Sequence, residues 1–428
     1  MKRSILLLVV ASLLFSLAAC SPSGSQTSAQ IVQSSKPRTA NPQASPDDLA
    51  ALIAGNSAFA FNLYQALRSQ PGNLLLSPVS ISEALAMTYA GAQGETAQQM
   101  AAALHFSLPQ DRLHPAFNAL DQQLTPLGSA AQNGSDPGFK LSVVNALWGQ
   151  QGFSFLPAFL DTLSQNYGAG MHLLDFQKAT EPSRQAINTW VSDQTQQKIL
   201  NLLPEGSVQP STRLVLTNAV YFKAAWAFQF RPEDTHDLPF TLADGTPVNV
   251  PTMKEVESLG YAETDGVQVV DLPYAGSSLS MVILLPAAGK LDALEAALSP
   301  AKLAALLNGL SSAQEVTLSL PKFKFTTAFD LNAAMTSLGM IDAFDSAKAD
   351  FSGMDGQKDL LIQGILHKAF IAVDEQGTEA AAATAVVVGL TSMPVDNVTV
   401  TVDHPFLFLI TDRSSGTILF VGRVTDPR

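Results

Sequence analysis

EQGTEAAAATAVVVGLTSMP, residues 375–394, is the stretch on which the reading of this chain turns. It opens with Glu375, Gln376 and Gly377, then runs through small residues from 378 to 385, interrupted only by Glu379. Val386, Val387 and Val388 follow, then Gly389, Leu390, Thr391, Ser392, Met393 and Pro394. Alanine favours helix. The β-branched Thr378, Thr384 and three valines favour extended backbone. Composition leaves two readings: an Ala-rich helix running into a strand, or an exposed loop able to become a strand.

Outward from this stretch, the chain carries evenly mixed helix and strand signals. Residues 47–67 place Leu49, Leu52, Ile53, Phe59, Leu63 and Leu67 mostly three or four apart, which predicts a helix closed at Gly72-Asn73. A short strand at 74–76 precedes Ser77-Pro78-Val79-Ser80, and Ser80 with Glu83 reads as the capping box of a helix over 81–89. Further helices are expected over 95–104, 155–167, 291–307 and 331–338. Apolar runs at 141–148, 213–222, 267–272, 279–285, 406–411 and 418–424 read as strands, as do the stretches 360–373 and 398–402. Helices and strands without regular alternation make the fold α+β.

The motifs fall in a familiar order. Ser77-Pro78-Val79-Ser80-Ile81 and Gly94-Glu95-Thr96 lie early. Ile187-Asn188-Thr189-Trp190-Val191, then Lys198-Ile199 to Leu202-Leu203-Pro204, lie in the middle. Leu216-Thr217-Asn218-Ala219-Val220-Tyr221-Phe222-Lys223 with Trp226 comes next, and Asp403-His404-Pro405-Phe406-Leu407-Phe408 near the end. With the hinge at 375–384, these resemble the serpins, the serine protease inhibitor family, over nearly all of residues 47–428. The resemblance implies one domain, mixed sheets, eight or nine helices and an exposed reactive loop. It implies a hinge made of Glu375, Gly377, Thr378, Glu379, Ala380, Ala381, Ala382, Ala383 and Thr384. Ser77, Ser80, Asn218 and His367 match a polar cluster beneath the sheet that opens, and Trp226 a tryptophan at the top of that opening. Family spacing puts the scissile bond at Thr391–Ser392. The segment 392–405 is about three residues longer than the usual pattern, and such loop lengths vary freely; this leaves Leu390 and Met393 as alternative scissile residues. The expected partner is a serine protease held in a covalent complex, with the inhibitor a monomer.

The amino terminus reads separately. Lys2 and Arg3 precede an apolar run ending Leu17-Ala18-Ala19-Cys20, a signal peptide over 1–19 too short for a usual membrane span. The ending resembles a bacterial lipobox, so Cys20 is the expected lipidation site and the cell envelope, outside the cytoplasm, the expected location. Residues 20–46, rich in Ser, Gln, Pro, Ala and Thr, read as a flexible tether from that lipid.

Other chemistry is not encoded. The net charge of −13 and few basic clusters argue against nucleic acid. Cys20 is the lone cysteine, so no internal disulfide forms. No His-Glu-x-x-His, Gly-x-Ser-x-Gly, P-loop or dinucleotide fingerprint occurs. The histidines lack metal-ligand spacing, so no catalytic residue, metal or cofactor is expected. Taken alone, Asp374-Glu375 reads as solvated loop charge and His367 as a core histidine. The competing functions are a non-inhibitory binding module of the same fold, a lipid-anchored solute-binding protein, and a hydrolase, for which no nucleophile motif exists.

Overall fold

The computed structural model describes residues 29–124, 139–378 and 398–428. The chain begins with β1 (Gln30–Val32), α1 (Pro46–Leu67), β2 (Leu74–Leu76), α2 (Pro78–Tyr89), α3 (Gly94–Ala103) and α4 (Gln110–Leu124). Next come β3 (Phe139–Gln150), α5 (Pro157–Tyr167), β4 (Met171–Leu174), α6 (Thr180–Gln194) and β5 (Leu214–Ala225). A run of strands follows: β6 (His236–Thr241), β7 (Pro247–Thr264), β8 (Val267–Pro273) and β9 (Leu279–Pro286). Then come α7 (Leu291–Ala297), α8 (Pro300–Leu307), β10 (Ser311–Pro321), β11 (Phe323–Asp330), α9 (Asn332–Ser337) and α10 (Ser352–Asp355). The chain closes with β12 (Gly364–Asp374), β13 (Gly377–Thr378), β14 (Val398–Thr401), β15 (Phe406–Asp412) and β16 (Ile418–Val424).

Two sheets organise these elements, as an α+β fold requires. The seven-stranded sheet has the order β1-β4-β3-β5-β13-β12-β11. The nine-stranded sheet has the order β14-β10-β7-β8-β9-β15-β16-β2, with β6 on β7. α2 is buried along almost its whole length and packs against β3, β5 and β16, so it joins the two sheets. β5 is buried at every position except Lys223, which explains its aliphatic sequence: both its faces are covered. Among the described residues no helix is long and apolar enough to cross a membrane.

Several expectations are corrected. The tether does not extend to residue 46: from Gln30 the chain is packed on the body, with β1 antiparallel on β4. α1 ends at Leu67, not at Gly72, and starts at Pro46. Its cap is Ser45, whose hydroxyl accepts from the Asp48 amide at 3.1 Å while Asp48 accepts from the Ser45 amide at 3.0 Å. The helix expected over 291–307 is two. Pro300 has no N–H to continue a helix, and it drives Ser299 into extended backbone (φ −160°, ψ 165°), where Ser299 caps α8. The capping box of Ser80 and Glu83 does not form. α2 starts at Pro78 after Ser77, which makes no side-chain cap bond. Ser80 and Glu83 are turned to another use.

Candidate functional site

The site begins where β12 runs out. Asp374, Glu375 and Gln376 turn the chain, and Gly377-Thr378 re-enters the sheet as β13, between β12 and the end of β5. Gly377 pairs with Ala225 and Thr378 with Ala224 on one side; on the other, they pair with Asp374 and Val373. Only glycine fits at 377. A Cβ there would stand 2.0 Å from the Ala224 carbonyl oxygen, and φ is +154°. Thr378 is fully buried, its hydroxyl 2.7 Å from that of Tyr274.

Trp226 holds this turn from above. Its indole N–H donates to the Asp374 carbonyl at 3.0 Å and its amide to the Gln376 carbonyl at 2.9 Å, while the Phe230 amide donates to the Glu375 carbonyl at 3.0 Å. The Trp226 ring stacks on Tyr274 with centroids 4.7 Å apart. Glu375 is not the solvated loop charge it reads as in isolation. Its carboxylate accepts from Lys322 Nζ at 2.7 and 3.0 Å and from the Thr235 hydroxyl at 2.8 Å. Burial acts to raise the Glu375 pKa, but these donors outweigh it and hold the group below its ordinary value. Burial raises the neighbouring Asp374.

Farther down the same seam, β5 and β12 pair directly and in parallel, from Val215 opposite Gly364 to Tyr221 opposite Phe370. His367 and Asn218 are register partners there, and Asn145 of β3 is the partner of Asn218 on its other side. The side chains of Asn218 and Asn145 meet Ser80 of α2, and that of His367 joins them through Asn218. Asn218 Nδ2 donates to Ser80 Oγ and to Asn145 Oδ1, and Asn218 Oδ1 accepts from His367 Nδ1 at 2.5 Å. Asn145 Nδ2 donates onward to Glu83 Oε2 at 3.0 Å and to the Ser80 carbonyl at 3.3 Å. Ser80 and Glu83 are therefore taken up by this cluster, which is why they do not cap α2. Ser77 is buried at the start of the helix.

His367 is fully buried, and burial lowers its pKa to about 3, opposed in part by the Leu75 carbonyl. The ring is neutral at physiological pH. Glu83 is shifted the other way, to about 8, by burial and by the charge of Asp121, against the pull of Arg38. The cluster thus joins three strands and a helix through uncharged or easily neutralised groups. It ties β3, β5 and β12 to one another and to α2, and it aligns no nucleophile with a base. Among the described residues no group of three or more His, Cys, Asp or Glu could hold a metal ion.

The structure brings Ser80, Asn218 and His367 into one cluster and places Ser77 at the head of the same helix. It sets Trp226 over the hinge turn. Glu379, Ala380, Ala381, Ala382, Ala383, Thr384, Leu390, Thr391, Ser392, Met393 and Cys20 lie outside the described residues. Sequence reasoning missed Asn145, Glu83, Tyr274, Thr235 and Lys322. Only Asn145 carried a local signal, as the one polar residue within the apolar run 143–148.

A hinge wedged between the ends of two strands that pair directly below it over a buried polar cluster marks a distinct class of mixed-sheet protein. Comparison with known proteins agrees with that class. A family model described as "Serpin (serine protease inhibitor)" matches residues 54–427. The human protein named leukocyte elastase inhibitor is 40% identical over 387 residues, covering 88% of this chain and 99% of the relative. Among solved structures, the thermophilic serpin tengpin in its native state superposes with a TM-score of 0.81 at 30% identity, covering 93% of this chain and all of that one. Human thyroxine-binding globulin superposes with a TM-score of 0.79 at 31% identity, covering 89% and 99%. The chain belongs to the serpins, the family of serine protease inhibitors. That membership removes the solute-binding-protein reading.

Proposed function

We propose that this serpin traps its target covalently and by its own refolding. The target serine attacks a loop carbonyl and forms an acyl-enzyme. The severed loop then enters the seam between β5 and β12 as a full strand, carrying the protease with it. The observation that carries this reading is β13: two residues of that future strand already pair with both neighbours. Extension of β13 would put Thr378, Ala380, Ala382, Thr384, Val386 and Val388 on one face. None of them is charged, large or proline. The span from 377 to 391 reaches about 46 Å at ~3.3 Å per residue. About ten inserted residues at ~0.5–1.5 kcal/mol per hydrogen bond give on the order of 10 kcal/mol. This is comparable with the ~5–15 kcal/mol that hold a protease folded.

The targets are elastase-, subtilisin- or chymotrypsin-like enzymes. Thr391 suits a pocket for small side chains and Leu390 a chymotrypsin-like one, while no Arg or Lys near the bond suits a trypsin-like pocket. The name of the human relative supports an elastase-like target. The molecule acts as a monomer and is not itself an enzyme. The start of the sequence supports a bacterial lipoprotein held by Cys20 outside the cytoplasm, on a periplasmic or outer surface. With the packed body beginning near residue 29, residues 20–28 allow a separation of at most about 30 Å from the lipid. A binding role, as the name of thyroxine-binding globulin suggests for that relative, is the second reading; the small, uncharged inward face of 378–388 favours inhibition over it.

The test is a mixture with an elastase or subtilisin, followed by boiling in detergent. A covalent complex is expected, and mass spectrometry of the released carboxy-terminal peptide identifies the bond. Thr378→Arg would place an unpaired charge at a fully buried position, at a cost of several kcal/mol. This variant should be cleaved without forming the complex. A complex formed as efficiently as by the parent protein would refute insertion, and no complex with any protease would favour the binding role.

A further inference from the structure

Residues 30–45 precede the part of the chain that matches the family, yet they are bound to the body from Gln30 to Thr39 and again at Ser45. β1 lies antiparallel on β4, Gln30 opposite Leu173, Ile31 opposite His172 and Val32 opposite Met171. Gly170 admits this close pass, since a Cβ there would stand 2.7 Å from Gln33 Cβ and 2.8 Å from the Val32 carbonyl oxygen. The segment next crosses α5. Asp161 accepts from the Ser34 hydroxyl at 2.5 Å and from Lys36 Nζ at 2.7 Å, and the Ser164 hydroxyl donates to the Lys36 carbonyl at 2.5 Å. The Thr39 amide donates to the Gln165 carbonyl at 2.8 Å. On α4, Asn118 and Gln122 both donate to the Thr39 carbonyl at 2.8 Å. Ser45 then caps α1.

Arg38 is the central contact. Its Nε donates to Asn118 Oδ1 at 2.8 Å, and Nη2 lies 2.6 Å from Asp121. Asn118 is fully buried. The Arg38 charge also acts on Glu83, opposing the effects of burial and Asp121. Glu83 in turn is bonded to Asn145, Asn145 to Asn218, and Asn218 to His367 across the seam.

This path runs between two bodies that must separate. Parting β5 from β12 moves β5 together with β3 and β4, which are hydrogen-bonded to it in sequence. The segment is tied to β4 and α5 at one end and to α1 at the other. α1 packs most on α4, and also on α2, α9, β16 and α8; it makes no comparable contact with β3, β4 or β5. Opening the seam therefore stretches the segment or detaches it. We propose that residues 30–45 form a strap that keeps the seam between β5 and β12 closed, with Arg38 as its key contact. Loss of Arg38 frees the strap from α4 and removes the positive charge that counters burial and Asp121 at Glu83. Both changes loosen the Asn145–Asn218–His367 chain.

The strap acts on the seam whether or not the loop traps a protease, so its test needs no protease. The full chain and its Arg38→Ala, Arg38→Lys and Lys36→Ala variants are compared by native-state hydrogen exchange. With Arg38→Ala, amides of residues 215–221 and 364–370 should exchange about tenfold faster, while those of β9 and β15 keep their rates. Arg38→Lys, which keeps the charge, should recover most of the protection. Lys36→Ala, at a half-exposed ion pair, should give a smaller increase in the same seam amides. Faster exchange confined to residues 30–39, with the seam unchanged, overturns the proposal, as does no change anywhere. If Arg38→Ala loosens the whole molecule, the Lys36→Ala result decides between these outcomes.

Discussion

Glu375 shows how a single residue ties the hinge to the body. In sequence it is one of two adjacent carboxylates before a flexible-looking run. In the fold it joins β12 to Lys322, which lies between β10 and β11, and to Thr235. Its side chain is 12% exposed and that of Lys322 36% exposed, so the pair is neither a free surface pair nor a dry one. Removing Lys322 leaves the carboxylate half-desolvated with Thr235 as its remaining side-chain donor. Lys322→Ala should therefore cost about 1–2 kcal/mol of native stability. A melt monitored by circular dichroism should fall by a few degrees. Glu375→Gln, which keeps an acceptor for Thr235 and leaves no buried charge, should lose less. Equal losses in the two variants would show that the stranded carboxylate is not the cause.

The paired strands β5 and β12 carry a pH dependence that no single surface charge would produce. His367 titrates at about 3 in the folded chain against an ordinary 6.5. Between those values the unfolded chain binds the proton and the folded chain does not. The stability that the neutral ring contributes is thus complete above about pH 6.5 and is lost as pH falls through that window. His114, also buried and at about 4, adds a term of the same sign. Glu83, held at about 8 against an ordinary 4.5, has the opposite sign: its contribution is lost as pH rises between those values. Glu255, also held at about 8 by burial, adds to the effect of Glu83, and the two carboxylates offset the histidines over that window. Relative to the parent, the melting temperature of His367→Gln should therefore rise as pH falls from 6.5 to 4. A variant with an unaltered slope would mean that the ring is hydrated and titrates normally. The same strands show why the helix cap predicted from Ser80 and Glu83 fails. A cap satisfies one local amide, whereas Ser80 and Glu83 here serve partners at Asn218 and Asn145, 138 and 62 residues away.

At the scale of the whole molecule, the proposed insertion asks two directly paired strands, β5 and β12, to part for a further one. β5 and β12 close on each other below a two-residue wedge, and the residues suited to continue that wedge follow it directly in sequence. A nick near Thr391 should let them enter. Insertion on the order of 10 kcal/mol, set against the unfolding entropy of a domain of this size, predicts a rise of about 10–15 °C in melting temperature. Calorimetry before and after limited proteolysis measures it. Identical melts would mean that the uncut form is already at its most stable.

The sequence by itself determined the α+β class, most of the apolar strands of the two sheets and the run of family motifs. These are local signals: an unbroken apolar run and a three-to-four spacing of apolar residues. Only the tertiary structure decided the rest. β7, eighteen residues long, was illegible because its alternating exposed and buried positions are set by β6, β8 and β10, not by its own composition. The polar residues 30–45 look like a tether, and become a strap only because β4, α5 and α4 present a matching set of donors and acceptors. The cluster of Ser80, Glu83, Asn145, Asn218 and His367 draws on four elements distant in sequence. Hydrogen-bond partners so far apart leave no period to read, and burial makes their pairing obligatory once the sheets have formed.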